Sequence, residues 1–208
     1  MIVLVRHGRT AANARGLLLG RADPALDDEG RRQADRLAGV LDGLDVVRVV
    51  SSPLDRCRAT AAAIAGVVAP PGVGGAADPA GATGIEVDER WIELDYGTLD
   101  GTPLAAVPRS HWAAWRADVA WAPEGGESLA ALGARVRAAC DDLAGEAAEA
   151  DVVVVSHVSP IKAAVAWALG VGDEVAWRMW VAPGSITRIG VASGVPSLRS
   201  FNEIAHLG

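Results

Sequence analysis

The sequence predicts a three-layer α/β/α fold with a mainly parallel central sheet and a small helical cap. Three observations predict it. Short apolar runs rich in β-branched residues recur along the chain, helical patterns separate them, and one Trp-bearing segment interrupts the alternation.

The first run, residues 2–5, reads as a buried parallel strand and leads straight into Arg6-His7-Gly8. Asp27 suits the N-cap of a helix over 28–41, in which Ala34, Leu37 and Leu41 share a face. Residues 46–50 form the second expected strand. Ser52-Pro53 then signals a helix with Pro at its first position, striped by Leu54, Cys57, Ala61 and Ile64. Residues 69–84, "APPGVGGAADPAGATG", lack periodicity and are expected to form a mobile surface loop. Residues 98–126 carry Trp112, Trp115 and Trp121 among Pro and Gly. They are read as a cap inserted in one domain spanning 1–208. A long helix is expected over 127–148, and a third strand at 152–155. Ser159-Pro160 signals another helix, and 185–191 reads as a fourth parallel strand.

Composition narrows the function. A net charge of −7 argues against a general nucleic-acid binder. No apolar run approaches the ~20 residues that span a bilayer. The strand beginning at Ile2 leaves no room for a signal peptide. Cys57 and Cys140 form no CxxC pair, which suits a reducing compartment; a cytoplasmic location is expected. The four histidines, at 7, 111, 157 and 206, do not cluster with carboxylates at metal-ligand spacing, so no metal or other cofactor is expected.

In open α/β sheets ligands bind beyond the carboxyl ends of the strands. Arg6-His7 follows the first strand, Arg56 lies just after the second, and Ser156-His157 ends the third. Two arginines and two histidines converging there suit a phosphoryl dianion, because the guanidinium fork donates paired hydrogen bonds to oxyanions. Taken singly, each has a blander reading: a hydrogen-bonded structural histidine, a solvated helix arginine, a turn glycine. Their joint placement at three strand ends favours a site.

These stretches resemble a known family. "VRHGRTAAN" (5–13) resembles the RHG signature of the histidine phosphatase superfamily, the phosphoglycerate mutase-like proteins. "GRADPALDDEGRRQA" (20–34), "SSPLDRCRATA" (51–61), "ELDYGTLDG" (93–101), "PEGGES" (123–128) and "VVVVSHVSPIKA" (152–163) resemble its further motifs, in order along nearly the whole chain. The resemblance implies His7 as nucleophile, with Arg6, Arg56 and His157 holding phosphoryl oxygens. It also implies Asn13 and Gly20 as pocket residues and Glu93 as the acid, with Asp95 as the competing carboxylate. Such an acid must hold its proton at working pH. Arg9 stands where many relatives have Glu or Gln, and Asp100 where Glu is frequent. "SHVSPIKAAVAWAL" and "GSITRIGV" look most like the branch that includes α-ribazole phosphatase-like proteins.

The expected function is metal-independent phosphomonoester hydrolysis through a phosphohistidine. The expected partner is a small phosphorylated metabolite, with a homodimer left open. Two alternatives stay in play: a 2,3-bisphosphoglycerate-linked mutase, and a domain that binds phospho-ligands or partners without turnover. The cap favours the phosphatase, since Arg109 and Arg116 are balanced there by Asp100, Asp118 and Glu124. The tryptophans of the cap read either as packing onto the sheet or as a wall for an apolar, ring-bearing leaving group.

Overall fold

The computed structural model of the chain describes residues 1–68, 84–192 and 194–208. Along the chain run β1 (Ile2–Arg6), α1 (Ala11–Ala14), α2 (Asp28–Leu41), β2 (Val46–Ser51), α3 (Asp55–Val68) and β3 (Ile85–Val87). They are followed by α4 (Arg109–Ala117), α5 (Leu129–Glu149), β4 (Asp151–Ser156), α6 (Val158–Leu169), β5 (Ile186–Gly190) and β6 (Ser197–Glu203). The strand order is β3-β2-β4-β1-β5-β6. The expected loop at 69–84 lies, apart from Gly84, outside the described residues.

The alternation of strand side chains builds the three layers. Ile2, Leu4, Val152 and Val154 face one core, with Leu132, Val136 and Leu143 of α5 and Ile161 and Ala164 of α6. Val3, Val5, Val153 and Val155 face the other, with Leu37 and Leu41 of α2 and Cys57, Ala61 and Ile64 of α3. Each such Val, Leu or Ile side chain contributes roughly 1.5–3 kcal/mol when fully buried.

β1, β2 and β4 pair in parallel, as expected, and β3, which the sequence reading did not contain, adds to β2 in parallel. The strand near 185–191 is a correction: β5 pairs antiparallel to β1, and β6 antiparallel to β5. An apolar run reports burial on both faces but not direction. Two helix starts also differ from expectation. The helix after β2 begins at Asp55 rather than at Pro53, and α6 begins at Val158 with His157, not Ser159, in the N-cap position. Both differences matter at the site.

The end of β1 is packed tightly against the start of α2. Asp27 caps α2 through the Gly30 N–H, and its carboxylate also meets Arg9. A Cβ on Gly30 would lie 2.0 Å from the Arg9 carbonyl oxygen, and one on Gly8 would lie 2.3 Å from the Gly30 carbonyl oxygen. Gly8 is not among the residues with positive φ. It is there because two backbones meet with no room for a side chain, not because the chain needs a left-handed turn. Gly39, exposed on the same helix, would place a Cβ in open space. Gly39→Ala should therefore stabilise the fold by about 0.5–1 kcal/mol, while Gly30→Ala should destabilise it by roughly 1–3 kcal/mol. Urea unfolding of the two variants checks this; equal effects would contradict the close-contact account.

Candidate active site

Register brings the two histidines together. Arg6 of β1 is paired with Ser156 of β4, and the His7 N–H donates to the Ser156 carbonyl at 3.0 Å. The next residue on each strand is therefore a neighbour of the other. The His7 and His157 rings lie 5.1 Å apart, edge to face, and both are buried.

His7 Nδ1 lies 2.7 Å from the Gly8 carbonyl oxygen. A carbonyl only accepts, so Nδ1 carries the proton, and in the neutral ring Nε2 keeps its lone pair. Burial, reinforced by Arg6 and Arg56, holds His7 well below the usual histidine range. His157 is held low too, by burial first and then by His7, Arg56 and Arg6. Its Nε2 lies 2.7 Å from Ser52 Oγ and 3.3 Å from Cys57 Sγ. Ser52, read from sequence as a helix start, is instead a partner of His157.

Both arginines are buried and pinned by carbonyl oxygens. Arg6 Nη1 donates to Val181 at 2.6 Å. Arg56 Nη1 and Nη2 donate to Ala22 and Gly20 at 2.6 and 2.7 Å, and Asp23 lies 3.3 Å from Nη1. Asp100 fastens that segment by accepting from the Gly20 and Ala22 N–H groups. The Nε donors of Arg6 and Arg56 are buried and unpartnered among the described residues. Burial pulls Arg6 down to about 10, with Arg56 adding to the effect and Glu93 opposing it. Two unpaired cationic donors beside two neutral imidazoles form a pocket short of negative charge.

Glu93 is buried at the start of α6. Its Oε1 accepts from Leu94 N–H and Ser159 N–H at 2.8 and 3.1 Å, and Oε2 from Val158 N–H at 3.1 Å. A carboxylate 65 residues away thus caps α6, which explains why the helix needs no local capping side chain. Ser156 Oγ holds the Trp91 carbonyl at 2.6 Å, and Arg135 Nη1 holds that of Arg90, so the segment is tied to the sheet. Asp95 is used differently: it accepts from Gly97 N–H in a turn.

A cavity of about 410 Å³ opens over this end of the sheet, with Arg6, His7, Asn13 and Glu93 in its wall. Asn13 Oδ1 is engaged by the Thr10 N–H in a reciprocal cap of α1, which leaves the side-chain NH₂ as its donor. Arg56, His157 and Gly20 are buried and do not line the cavity; Gly20 bears on the site through its hold on Arg56. Arg9 pairs with Asp27 and also stands outside the wall. Leu104, Trp112 and Trp115, from the 98–126 segment, line the far side. Tyr96, Ser159, Lys162, Trp177 and Trp180 line it as well, and sequence reasoning did not identify them as site residues. Among the described residues no group of three His, Cys, Asp or Glu is placed to hold a metal ion. No helix among them is long and apolar enough to cross a membrane.

The lowered histidines make stability depend on pH. Below the ordinary histidine value near 6.5 the unfolded chain binds protons that folded His7 and His157 resist. Stability is therefore intact above that value and falls as pH drops toward 5, by at most about 1.4 kcal/mol per pH unit for each histidine. His157→Asn should flatten the slope by up to one histidine's share. Urea unfolding between pH 7 and pH 5 measures it; parallel slopes would contradict the buried neutral pair.

The profile of the histidine phosphatase superfamily (branch 1) matches residues 2–204. A bifunctional protein of Mycobacterium tuberculosis is 32% identical over 99% of this chain; the chain spans about half, 54%, of that relative's length. Phosphoserine phosphatase 1 of Hydrogenobacter thermophilus is 30% identical over 100% of this chain and 94% of its own. The solved phosphoserine phosphatase of Entamoeba histolytica, in complex with 3-phosphoglyceric acid, superposes with a TM-score of 0.85 at 25% identity, over 100% of this chain and 98% of its own. The α-ribazole phosphatase of Shigella flexneri shares the fold, with a TM-score of 0.79 at 24% identity over 97% and 96% of the two chains. The chain belongs to the histidine phosphatase superfamily, branch 1, and has the phosphoglycerate mutase-like fold.

Proposed function

We propose that the protein hydrolyses a small phosphomonoester through a phosphohistidine on His7, without a metal. The observation that carries this is the Nδ1–H bond from His7 to the Gly8 carbonyl, which leaves Nε2 as a neutral nucleophile beside two unpaired guanidinium donors. In this reading Arg6 and Asn13 bind the phosphoryl oxygens from the cavity wall, and Arg56 and His157, buried beside His7 rather than in that wall, complete the set of donors once the phosphoryl group is seated at His7. Nε2 attacks phosphorus in line, and the bond from phosphorus to the alcohol oxygen breaks. Glu93, entering the reaction in its protonated form, gives that oxygen its proton and is left as the carboxylate. Water then attacks the phosphohistidine, with Glu93 taking the proton back, and inorganic phosphate leaves. Charge stabilisation by fixed donors is the main contribution a protein makes to phosphoryl transfer. The whole of 1–208 acts as one catalytic domain, with 98–126 as its cap.

Hydrolysis is favoured over mutase chemistry by the cavity wall. Among the described residues its one cation apart from Arg6 is Lys162, and Arg109 and Arg116 of the cap do not line it. A retained bisphosphate intermediate would call for more positive charge. The phosphoserine phosphatase activity named for two relatives, and the 3-phosphoglyceric acid bound in the solved structure of one, support a small phosphorylated metabolite as the substrate class.

The test is a panel of phosphate esters assayed for released phosphate in excess EDTA. Release should persist under chelation. Glu93→Gln should slow sugar phosphates by about 10²–10⁴-fold and p-nitrophenyl phosphate far less, because a good leaving group needs little protonation. Equal losses on both would remove Glu93 from the acid role. Activity lost to EDTA and restored by a divalent cation would reject the mechanism. Isomerisation of 3-phosphoglycerate dependent on 2,3-bisphosphoglycerate, without net release, would make the enzyme a mutase.

A further inference from the structure

Resting on the phosphatase reading, we infer that the substrate's alcohol carries an apolar or aromatic ring together with a carboxylate that pairs with Lys162.

The ring follows from the wall beyond the phosphoryl end. Trp112 meets Trp177 at 6.2 Å and 88°, and Trp115 at 5.5 Å. Arg116 stacks 5.6 Å over Trp177 and helps fix its plane. Trp115 is core, with 1% exposure, and its packing needs no ligand to explain it. Trp180 is different: it lines the same cavity yet is 66% exposed. Packing onto the sheet does not account for an indole left in water at a cavity wall. A flat apolar ligand that covers it does. Leu17 and Leu19 add further apolar wall to the same cavity.

The carboxylate follows from Lys162, the chain's single lysine. It lies on α6 one turn beyond Ser159, whose N–H holds Glu93, and it lines the cavity. Its ammonium is half-buried and has no hydrogen bond or ion pair among the described residues. Burial lowers its hold on the proton, with Glu93 opposing and Arg6 reinforcing. The neighbouring carboxylate, Glu93, is already engaged by three N–H groups. A partly desolvated cation without a protein partner is best matched by an anion on the ligand. The phosphoryl group is served by Arg6 and Arg56, so this anion is a second one. One lysine, a single point charge, balances the single negative charge of a carboxylate but not the two of a second phosphoryl dianion.

Non-hydrolysable phosphonates test this independently of turnover. Methylphosphonate, benzylphosphonate and the three carboxybenzylphosphonate isomers would be compared by calorimetry. Benzylphosphonate should bind about tenfold or more tightly than methylphosphonate, and Trp180→Ala should cut that gain. At least one carboxybenzyl isomer should gain about a further tenfold, a gain lost in Lys162→Met and kept in Lys162→Arg. Equal binding of the methyl and benzyl compounds would overturn the ring. Absence of a carboxylate gain, or its survival in Lys162→Met, would overturn the Lys162 pairing. The phosphatase reading stands or falls on the ester panel, which these binding constants do not enter.

Discussion

The parallel pairing of β1 with β4, with Arg6 opposite Ser156, is the constraint on which the site depends. Both strands are buried on both faces, so neither can slip without exposing a core. A slip of one residue would carry His7 away from His157 and turn every strand side chain to the wrong layer. The hydrophobic cores therefore hold the separation of the two histidines, which no local hydrogen bond could hold alone. The same pairing places Ser156 where its hydroxyl anchors the Glu93 segment, so one register serves the proposed nucleophile and the proposed acid.

Electrostatics is the second layer. Four polar side chains that prefer water, Arg6, His7, Arg56 and His157, are buried together. The fold tolerates this by giving the guanidiniums backbone carbonyl acceptors and by keeping the imidazoles neutral. What is left over, the unpaired Nε donors, is stored affinity for an anion. Glu93 is held by the α6 N–H groups rather than by either arginine, so it does not cancel them.

Much of this was legible in the sequence because it is local. The three strands ending in Arg6, Ser51 and Ser156, the α2 cap at Asp27 and the order of the motifs all follow from neighbouring residues. What was not legible is non-local. Strand direction at β5 depends on its partner, and β6, partly exposed along its whole length, shows no clean alternation. The start of α6 was misread at Ser159 because its cap comes from Glu93, 65 residues earlier. Ser52 looked like a helix cap because nothing nearby reveals His157. Gly8 resembled a turn glycine, although the reason for it is the carbonyl of Gly30 across a contact between two elements. The cavity-lining Trp177 and Trp180 come from a further stretch, and Lys162, although inside the 152–163 motif, carries no local sign that it faces the cavity.

The central claim is that His7 Nε2 forms a bond to phosphorus. The most direct measurement mixes enzyme with a radiolabelled phosphomonoester and quenches in alkali within the first turnover, since phosphohistidine is destroyed by acid. Peptide mapping should then find the label on His7. His7→Ala, shown to be folded by circular dichroism, should carry no label and release no phosphate. Label on His157, or wild-type turnover in His7→Ala, would contradict the account.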